Sequence, residues 1–200
     1  IDDERRRTFD SLVAAARAAD GTVDVGACPY PVHELLSYLA HERGLLLHGS
    51  KDSSLDVLEP RPARDLDTPL LAVVAPADGI WPLFYAVLAR DRVEFMFTAC
   101  THLGRPPRLR RLYVFAIVGD PSAAEMWTDG VIYVLPRAGF RREWGNEWVD
   151  PSPVRPLLRV PVRPEDFPLR DAVVGLASTE ELRRAGRHLR AAKRARAAAG

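Results

Sequence analysis

Apolar side chains recur at helical spacing in the first part of the chain, and they predict two helices there. The first helix is expected over residues 10–19, which are rich in alanine. The second is expected over residues 31–43, where apolar side chains three and four residues apart would lie on one face, and Gly44 would end it. These apolar side chains are Val32, Leu35, Leu36 and Leu39. A third helix is expected from Asp78, which would cap it, to about residue 89.

Shorter apolar runs follow and predict strands. The runs lie at residues 45–48, 70–75, 93–98, 111–118, 130–136 and 154–162. Prolines interrupt the last run, which favours a sheet edge or a bulge for it. Ser178 and Glu181 have the spacing of a capping box, so a last helix is expected after them. Because helices come first and many strands follow with few crossover helices, we expect an α+β fold with mixed or antiparallel sheets.

Composition bounds the size of the protein and adds an asymmetry of charge. The 200 residues are 47% hydrophobic and 28% charged, an ordinary globular composition, and we expect a single domain over residues 1–200. Within it, residues 1–44 would be helical, 45–170 would form a β core and 177–200 would form a basic C-terminal helix. Residues 182–200 carry seven Lys and Arg and no acidic side chain, which leaves 21 basic against 27 acidic residues elsewhere. Only this tail has the charge of a nucleic-acid binder.

The sequence shows neither a secretory leader nor an apolar run of membrane-spanning length. The two cysteines, Cys28 and Cys100, are expected to be reduced thiols. Cys100 and His102 together supply too few ligands for zinc, so no metal is expected. We therefore expect a cytoplasmic protein.

Three blocks of sequence carry the candidate chemistry. They are His48-Gly49-Ser50 at the end of an apolar run, residues 73–86 with Val74 and Tyr85 eleven residues apart, and Glu147 in a turn-like segment before the last apolar run. A histidine and a glycine at a strand end would place an imidazole and backbone amides at the rim of a sheet. Such groups can hold a sugar hydroxyl and an amide of a bound ligand.

In this order and spacing the three blocks resemble the ADP-ribosyltransferase superfamily in its histidine–tyrosine–glutamate form, over roughly residues 45–163. The resemblance implies two sheets that meet around a cleft, with helices at the N-terminus and one at the C-terminus. It implies NAD as the substrate of a mono-ADP-ribosyltransferase, or of a related NAD-consuming transferase that cleaves the nicotinamide–ribose bond.

The resemblance also implies catalytic and binding roles for the first and third blocks. Glu147 would stabilise the positive charge that develops on the ribose and would orient the attacking nucleophile. His48 would hydrogen-bond a ribose hydroxyl. Gly49 would allow close approach of the backbone and present its amide to the carboxamide, and Ser50 would complete the strand-end motif.

Aromatic and basic residues near these blocks would complete the NAD site. Tyr85 would stack on the nicotinamide ring or bound its pocket. Val74 stands where the family usually has a strand tyrosine, so either Trp81 or Tyr85 supplies the missing stacking surface or the site is altered. Arg61 or Arg64, on the long connection after the first block, would meet the pyrophosphate with a bidentate fork.

Two alternatives stay open beside the transferase. The fold can be kept while catalysis is lost, which leaves a nucleotide-sensing or protein-interaction module; Val74 favours this alternative, and His48 and Glu147 oppose it. An enzyme similar to RNA 2′-phosphotransferases, helped by the basic tail, would need several arginines that converge on the cleft. The acceptor is open between protein, nucleic acid and small molecule, with arginine disfavoured by Gly145. No membrane partner is expected, and an oligomer is compatible with the sequence.

Overall fold

The structure, a computed structural model, describes residues 1–63, 70–103, 110–144, 147–181, 183, 184 and 187. The chain divides into two compact units. The first unit consists of Ile1–Leu88 and Thr128–Pro168, and the second of Ala89–Trp127 and Leu169–Gly200. The three blocks of the sequence motif all belong to the first unit. The expectation of a single domain is not tested by this division and stays a prediction.

The structure gives the bounds of helices α1 at Asp3–Ala18, α2 at Val32–His41 and α3 at Trp81–Val87. The sequence predicted α2 and α3 well but began α1 too late. Helix α1 starts at Asp3 because the side chain of Asp2 accepts a hydrogen bond from the Arg5 amide at 2.9 Å. The first two turns of α1 are mostly polar, so they carry no apolar period from which the prediction could be made.

Two sheets form in the first unit. Their strands are β1 at Leu46–Ser50, β2 at Arg61–Ala63, β3 at Leu70–Pro76, β6 at Gly130–Leu135, β7 at Arg141–Trp144, β8 at Glu147–Asp150 and β9 at Leu158–Val162. The first sheet has the order β1-β6-β9 and the second β2-β3-β8-β7, and neighbouring strands are antiparallel. The proline-containing β9 lies at the end of its sheet, as predicted. Strand β9 is shorter than predicted, since Val154 forms only an isolated bridge with Leu58.

The core of the first unit lies between these two sheets. Leu46 and Tyr133 from the first sheet and Val73 and Ala75 from the second belong to one buried cluster. Helix α3 packs on β1 and β6 at two glycines. A Cβ on Gly49 would come within 2.1 Å of the Pro82 carbonyl oxygen, and a Cβ on Gly130 within 2.1 Å of that of Ala86. The backbone of α3 therefore rests directly on the strands.

The second unit contains the remaining strands, β4 at Met96–Leu103, β5 at Arg110–Val118 and β10 at Val174–Leu176. Strands β4 and β5 are antiparallel, and β10 pairs with β5 in parallel, so the α+β class with mixed and antiparallel sheets is confirmed. The Ser178 hydroxyl accepts from the Glu181 amide at 3.2 Å, which confirms the predicted cap. The basic tail beyond residue 187 lies outside the described residues.

Candidate functional site

His48 lies on β1 and reaches across to β3. Its Nδ1 is 2.8 Å from the carbonyl oxygen of Val74. A carbonyl oxygen only accepts hydrogen bonds, so Nδ1 must be the donor. In the neutral imidazole of this tautomer, Nε2 is a hydrogen-bond acceptor. It can therefore accept a hydrogen bond from a ligand hydroxyl, such as that of a ribose. The histidine is half-buried.

The carbonyl of Val74 joins the first block of the motif to the second. Val74 lies on β3, opposite Val149 of β8. Because the contact with His48 uses the backbone of Val74, it does not depend on the side chain at this position. A valine at position 74 therefore leaves the anchor of His48 intact.

Glu147 is the first residue of β8 and pairs with Pro76, two residues beyond Val74 on β3. Strand residues rise about 3.4 Å each and paired strands lie about 5 Å apart, so the backbones of Glu147 and Val74 are on the order of 8 Å apart. Glu147 was expected in a turn-like segment, and it is instead a half-buried strand residue. Gly145 and Asn146, which precede it in that segment, lie outside the described residues. Strand β3 thus holds the histidine and the glutamate within a few residues of each other.

The two faces of the β3–β8 pair separate Glu147 from its tryptophan neighbour. Residues directly opposite each other share a face, so Glu147 lies on the face of Pro76 and Val74, whereas Trp148 lies on the face of Ala75. Trp148 packs against the core cluster, and the guanidinium of Arg137 stands 4.3 Å above its ring. Trp148 therefore contributes to packing and is not on the glutamate's side of the sheet.

Gly49 and Ser50 continue β1 beyond the histidine. The side of Gly49 where a Cβ would lie is filled by α3, with the Pro82 carbonyl at 2.1 Å and the Ala86 amide at 2.9 Å. The close approach expected of this glycine is thus made by a helix of the same chain. The Ser50 hydroxyl accepts from the Asp52 amide at 3.1 Å and starts the loop that follows the strand.

Helix α3 carries two aromatic side chains on its partly open side. Trp81 and Tyr85 are half-buried and one turn apart, whereas the other side chains of the helix are buried. The helix begins where it does because Asp78 is fully buried and its Oδ1 accepts from the amides of Ile80, at 2.8 Å, and Trp81, at 2.9 Å. Pro82 and Ala86 follow Trp81 and Tyr85 in the sequence, and their backbones contact Gly49. The two aromatic side chains therefore lie beside the contact between α3 and β1.

Arg61 lies on β2, opposite Ala72, and its side chain is exposed. Successive side chains of a strand point to opposite faces of the sheet, so Arg61 lies on the same face as Ala72, Val74 and Glu147. Pro76 lies four residues beyond Ala72 on β3, which is about 14 Å along the strand. Hydrogen bonds from Ser54, and then the positive charge of Arg61, hold the pKa of Asp52 below its ordinary value. Arg64 lies outside the described residues.

One polar residue beside His48 was not predicted from the sequence. Tyr133 lies directly opposite His48 in the first sheet and is fully buried. Its hydroxyl donates to the carbonyl of Asp52 at 2.8 Å and accepts from the Leu55 amide at 3.0 Å. The available signal was a lone hydroxyl in the otherwise apolar strand of residues 130–136.

A shallow cavity in the second unit is lined by residues that the sequence did not single out, among them Arg92, Glu94 and Asp120. Thr179 donates to Glu94 Oε1 at 2.9 Å there. The described residues contain no group of three or more His, Cys, Asp and Glu side chains arranged to hold a metal ion. In the parts of the chain that are described, every helix is too short or too polar to cross a lipid bilayer.

Comparisons with protein-family models, with curated proteins and with solved structures give no match to this chain. The protein belongs to the α+β class, with largely antiparallel sheets. Any functional conclusion therefore depends on the chemistry of the residues that β1, β3, β8 and α3 bring together.

Proposed function

We propose that the protein binds NAD and transfers its ADP-ribose group, with cleavage of the nicotinamide–ribose bond. The observation that carries the proposal is the attachment of His48 and Glu147 to neighbouring positions of β3. An ADP-ribosyltransferase-like fold, with a cleft where its two sheets adjoin, is part of the same proposal. It is supported by the order of the strands that carry the histidine, the second block and the glutamate.

The proposed chemistry requires a hydrogen-bond acceptor for a ribose hydroxyl and a negative charge beside the ribose. His48 Nε2 accepts a hydrogen bond from a ribose hydroxyl while Nδ1 stays bonded to Val74. As the bond to nicotinamide breaks, nicotinamide leaves with the bonding electron pair and positive charge develops on the ribose. The carboxylate of Glu147 stabilises this charge and orients the nucleophile, which loses its proton to solvent water as it bonds to the ribose.

Two aromatic side chains of α3 take the place of the strand tyrosine that the family usually has at Val74. Trp81 and Tyr85 lie one turn apart on the partly open side of the helix. A nicotinamide ring stacked on this pair gains the offset or edge contacts that aromatic rings prefer. Arg61, exposed on the glutamate's face of the sheet, meets the pyrophosphate. The acceptor of the ADP-ribose stays open.

The first prediction concerns binding. His48→Asn keeps a donor near the Val74 carbonyl and removes Nε2, so we expect it to abolish most of the rise in melting temperature that millimolar NAD gives the wild type. His41→Asn is the matched control, because His41 Nδ1 also lies 2.9 Å from a backbone carbonyl, that of Ser37. His41→Asn should keep the full shift. An absence of any shift in the wild type would refute the proposal.

The second prediction concerns catalysis. Glu147→Gln keeps the size of the side chain and removes its charge, so NAD binding should persist while nicotinamide release falls by about 100-fold or more. Glu165→Gln, at an exposed position of the first unit, is the control and should release nicotinamide at the wild-type rate. Release is measured by chromatography over hours. Equal rates in wild type and Glu147→Gln would remove Glu147 from the mechanism.

A non-catalytic nucleotide-binding module is the second candidate, and Val74 favours it. This candidate predicts an NAD-dependent rise in melting temperature that His48→Asn abolishes, together with nicotinamide release that is equally slow in wild type and Glu147→Gln. The RNA 2′-phosphotransferase alternative depends in part on the basic tail, which beyond residue 187 lies outside the described residues.

A further inference from the structure

Three polar side chains form a row across the first sheet. His48 of β1 is directly opposite Tyr133 of β6, and Tyr133 is directly opposite Arg159 of β9. Residues in register on neighbouring strands project from the same face of a sheet. The histidine of the proposed site is therefore the first member of a row that continues beneath the loop after Ser50.

Tyr133 closes that loop with both functions of its hydroxyl. The hydroxyl donates to the carbonyl oxygen of Asp52 at 2.8 Å and accepts from the amide of Leu55 at 3.0 Å. Burial raises the pKa of Tyr133, so the hydroxyl keeps the proton that it donates. Residues 52–55 are consequently folded back over the face of the sheet on which His48 lies.

Arg159 and an apolar contact hold the far side of the same loop. Arg159 Nη2 donates to Asp56 Oδ1 at 2.6 Å and lies 3.4 Å from the Leu55 carbonyl oxygen. The Leu55 side chain packs against the core cluster, and Leu58 exchanges backbone hydrogen bonds with Val154 at 2.8 and 2.9 Å. Several contacts along the loop therefore hold it against the sheet. Of the residues that make them, Tyr133 is the one that lies opposite His48.

We propose that Tyr133 is a positioning residue that preorganises residues 50–55 as one wall of the nucleotide site. This inference rests on the proposed function. Without the hydroxyl, the part of the loop next to His48 loses two of the hydrogen bonds that order it. That part must then be ordered when the nucleotide binds, and the ordering reduces affinity. The groups that stabilise the transition state, Glu147 above all, are untouched. Loss of the hydroxyl should therefore raise the KM and the Kd for NAD about 5- to 20-fold and change kcat less than about twofold.

The test compares Tyr133→Phe with Tyr38→Phe. Both tyrosines are buried and both hydroxyls donate a hydrogen bond, since Tyr38 donates to Asp10 Oδ1 at 2.6 Å. Tyr38 lies on α2, outside the proposed site. Tyr133→Phe should accelerate hydrogen exchange of the Leu55 amide and weaken NAD binding, whereas Tyr38→Phe should do neither. Asp56→Asn is a second variant at an exposed position, and it should act in the same direction with a smaller effect because it loosens only the Arg159 contact.

The outcomes separate this inference from the function on which it rests. If wild type binds NAD and Tyr133→Phe binds it as tightly as Tyr38→Phe does, the positioning role is overturned while the proposed function stands. The same holds if exchange at Leu55 accelerates without any change in Kd, because the hydroxyl then serves folding alone. If wild type shows no affinity for NAD, both proposals fail together.

Discussion

At the scale of single residues, the positions that matter most act through the backbone. His48 is anchored by a carbonyl, and Gly49 is required by the helix that rests on it. The sequence predicted His48 and Glu147 as site residues because the order and spacing of the three blocks that contain the motif can be recognised without a structure. It could not predict that Val74 contributes its carbonyl, since any side chain at that position is compatible with the contact. Tyr133 was missed because a tyrosine in an apolar strand is ordinarily a core residue.

Gly49→Ala should destabilise the protein strongly. The new Cβ would lie 2.1 Å from the Pro82 carbonyl oxygen, so α3 or β1 must shift. We expect a loss of about 2–3 kcal/mol in the free energy of unfolding, measured by urea denaturation, as for an overpacked core. Gly26→Ala is the control, because its Cβ would meet only a side-chain oxygen of Asp24, at 3.3 Å. If both variants lost the same free energy of unfolding, α3 would have to shift at little cost to make room for the new Cβ.

At the scale of elements, the helices could be predicted from the sequence more completely than the strands. Asp78 and the apolar spacing after it were enough to predict α3, because a helix is built from near neighbours. Strands β2, β7, β8 and β10 were not predicted, because each is only three or four residues long and a run that short shows no clear apolar alternation. Strand β8 pairs with β3 across more than seventy residues of sequence, so the position of Glu147 became visible only in the folded chain.

The cap of α3 makes a prediction at this scale. Asp78→Ala removes the acceptor for two amides at the start of the helix that carries Trp81 and Tyr85. We expect a loss of about 1–2 kcal/mol in the free energy of unfolding, and Asp78→Asn should recover most of it because it keeps the accepting oxygen. Asp24→Ala, which removes an exposed acceptor for the Gly26 amide, should have a smaller effect. Chemical denaturation measures all three, and an Asp78→Ala variant as stable as the wild type would contradict the capping role.

At the scale of the whole molecule, the α+β class follows from the order of elements in the sequence, and the division into two units does not. The first unit takes in residues on both sides of a long insertion, Ala89–Trp127, which belongs to the second unit. Nothing in the composition changes at residue 89 or at residue 127. Such a boundary is set by which strands pair, and the pairing of β1 with β6 across that insertion is a property of the folded chain.

The stability of the whole protein should fall in alkali, and Tyr38 should cause a definable part of that fall. Burial, and then its hydrogen bond to Asp10, raises the pKa of Tyr38 from 10.0 to about 12. Above about pH 10 the unfolded chain loses this phenolic proton while the folded protein retains it. The contribution of Tyr38 is therefore complete below pH 10 and is lost as the pH rises towards about 12. Tyr38→Phe has no such proton, so its urea midpoint should depend less steeply on pH than that of the wild type between pH 10 and pH 12. Below pH 9 the two dependences should run parallel; parallel curves over the whole range would show that Tyr38 titrates alike in the folded and unfolded chains.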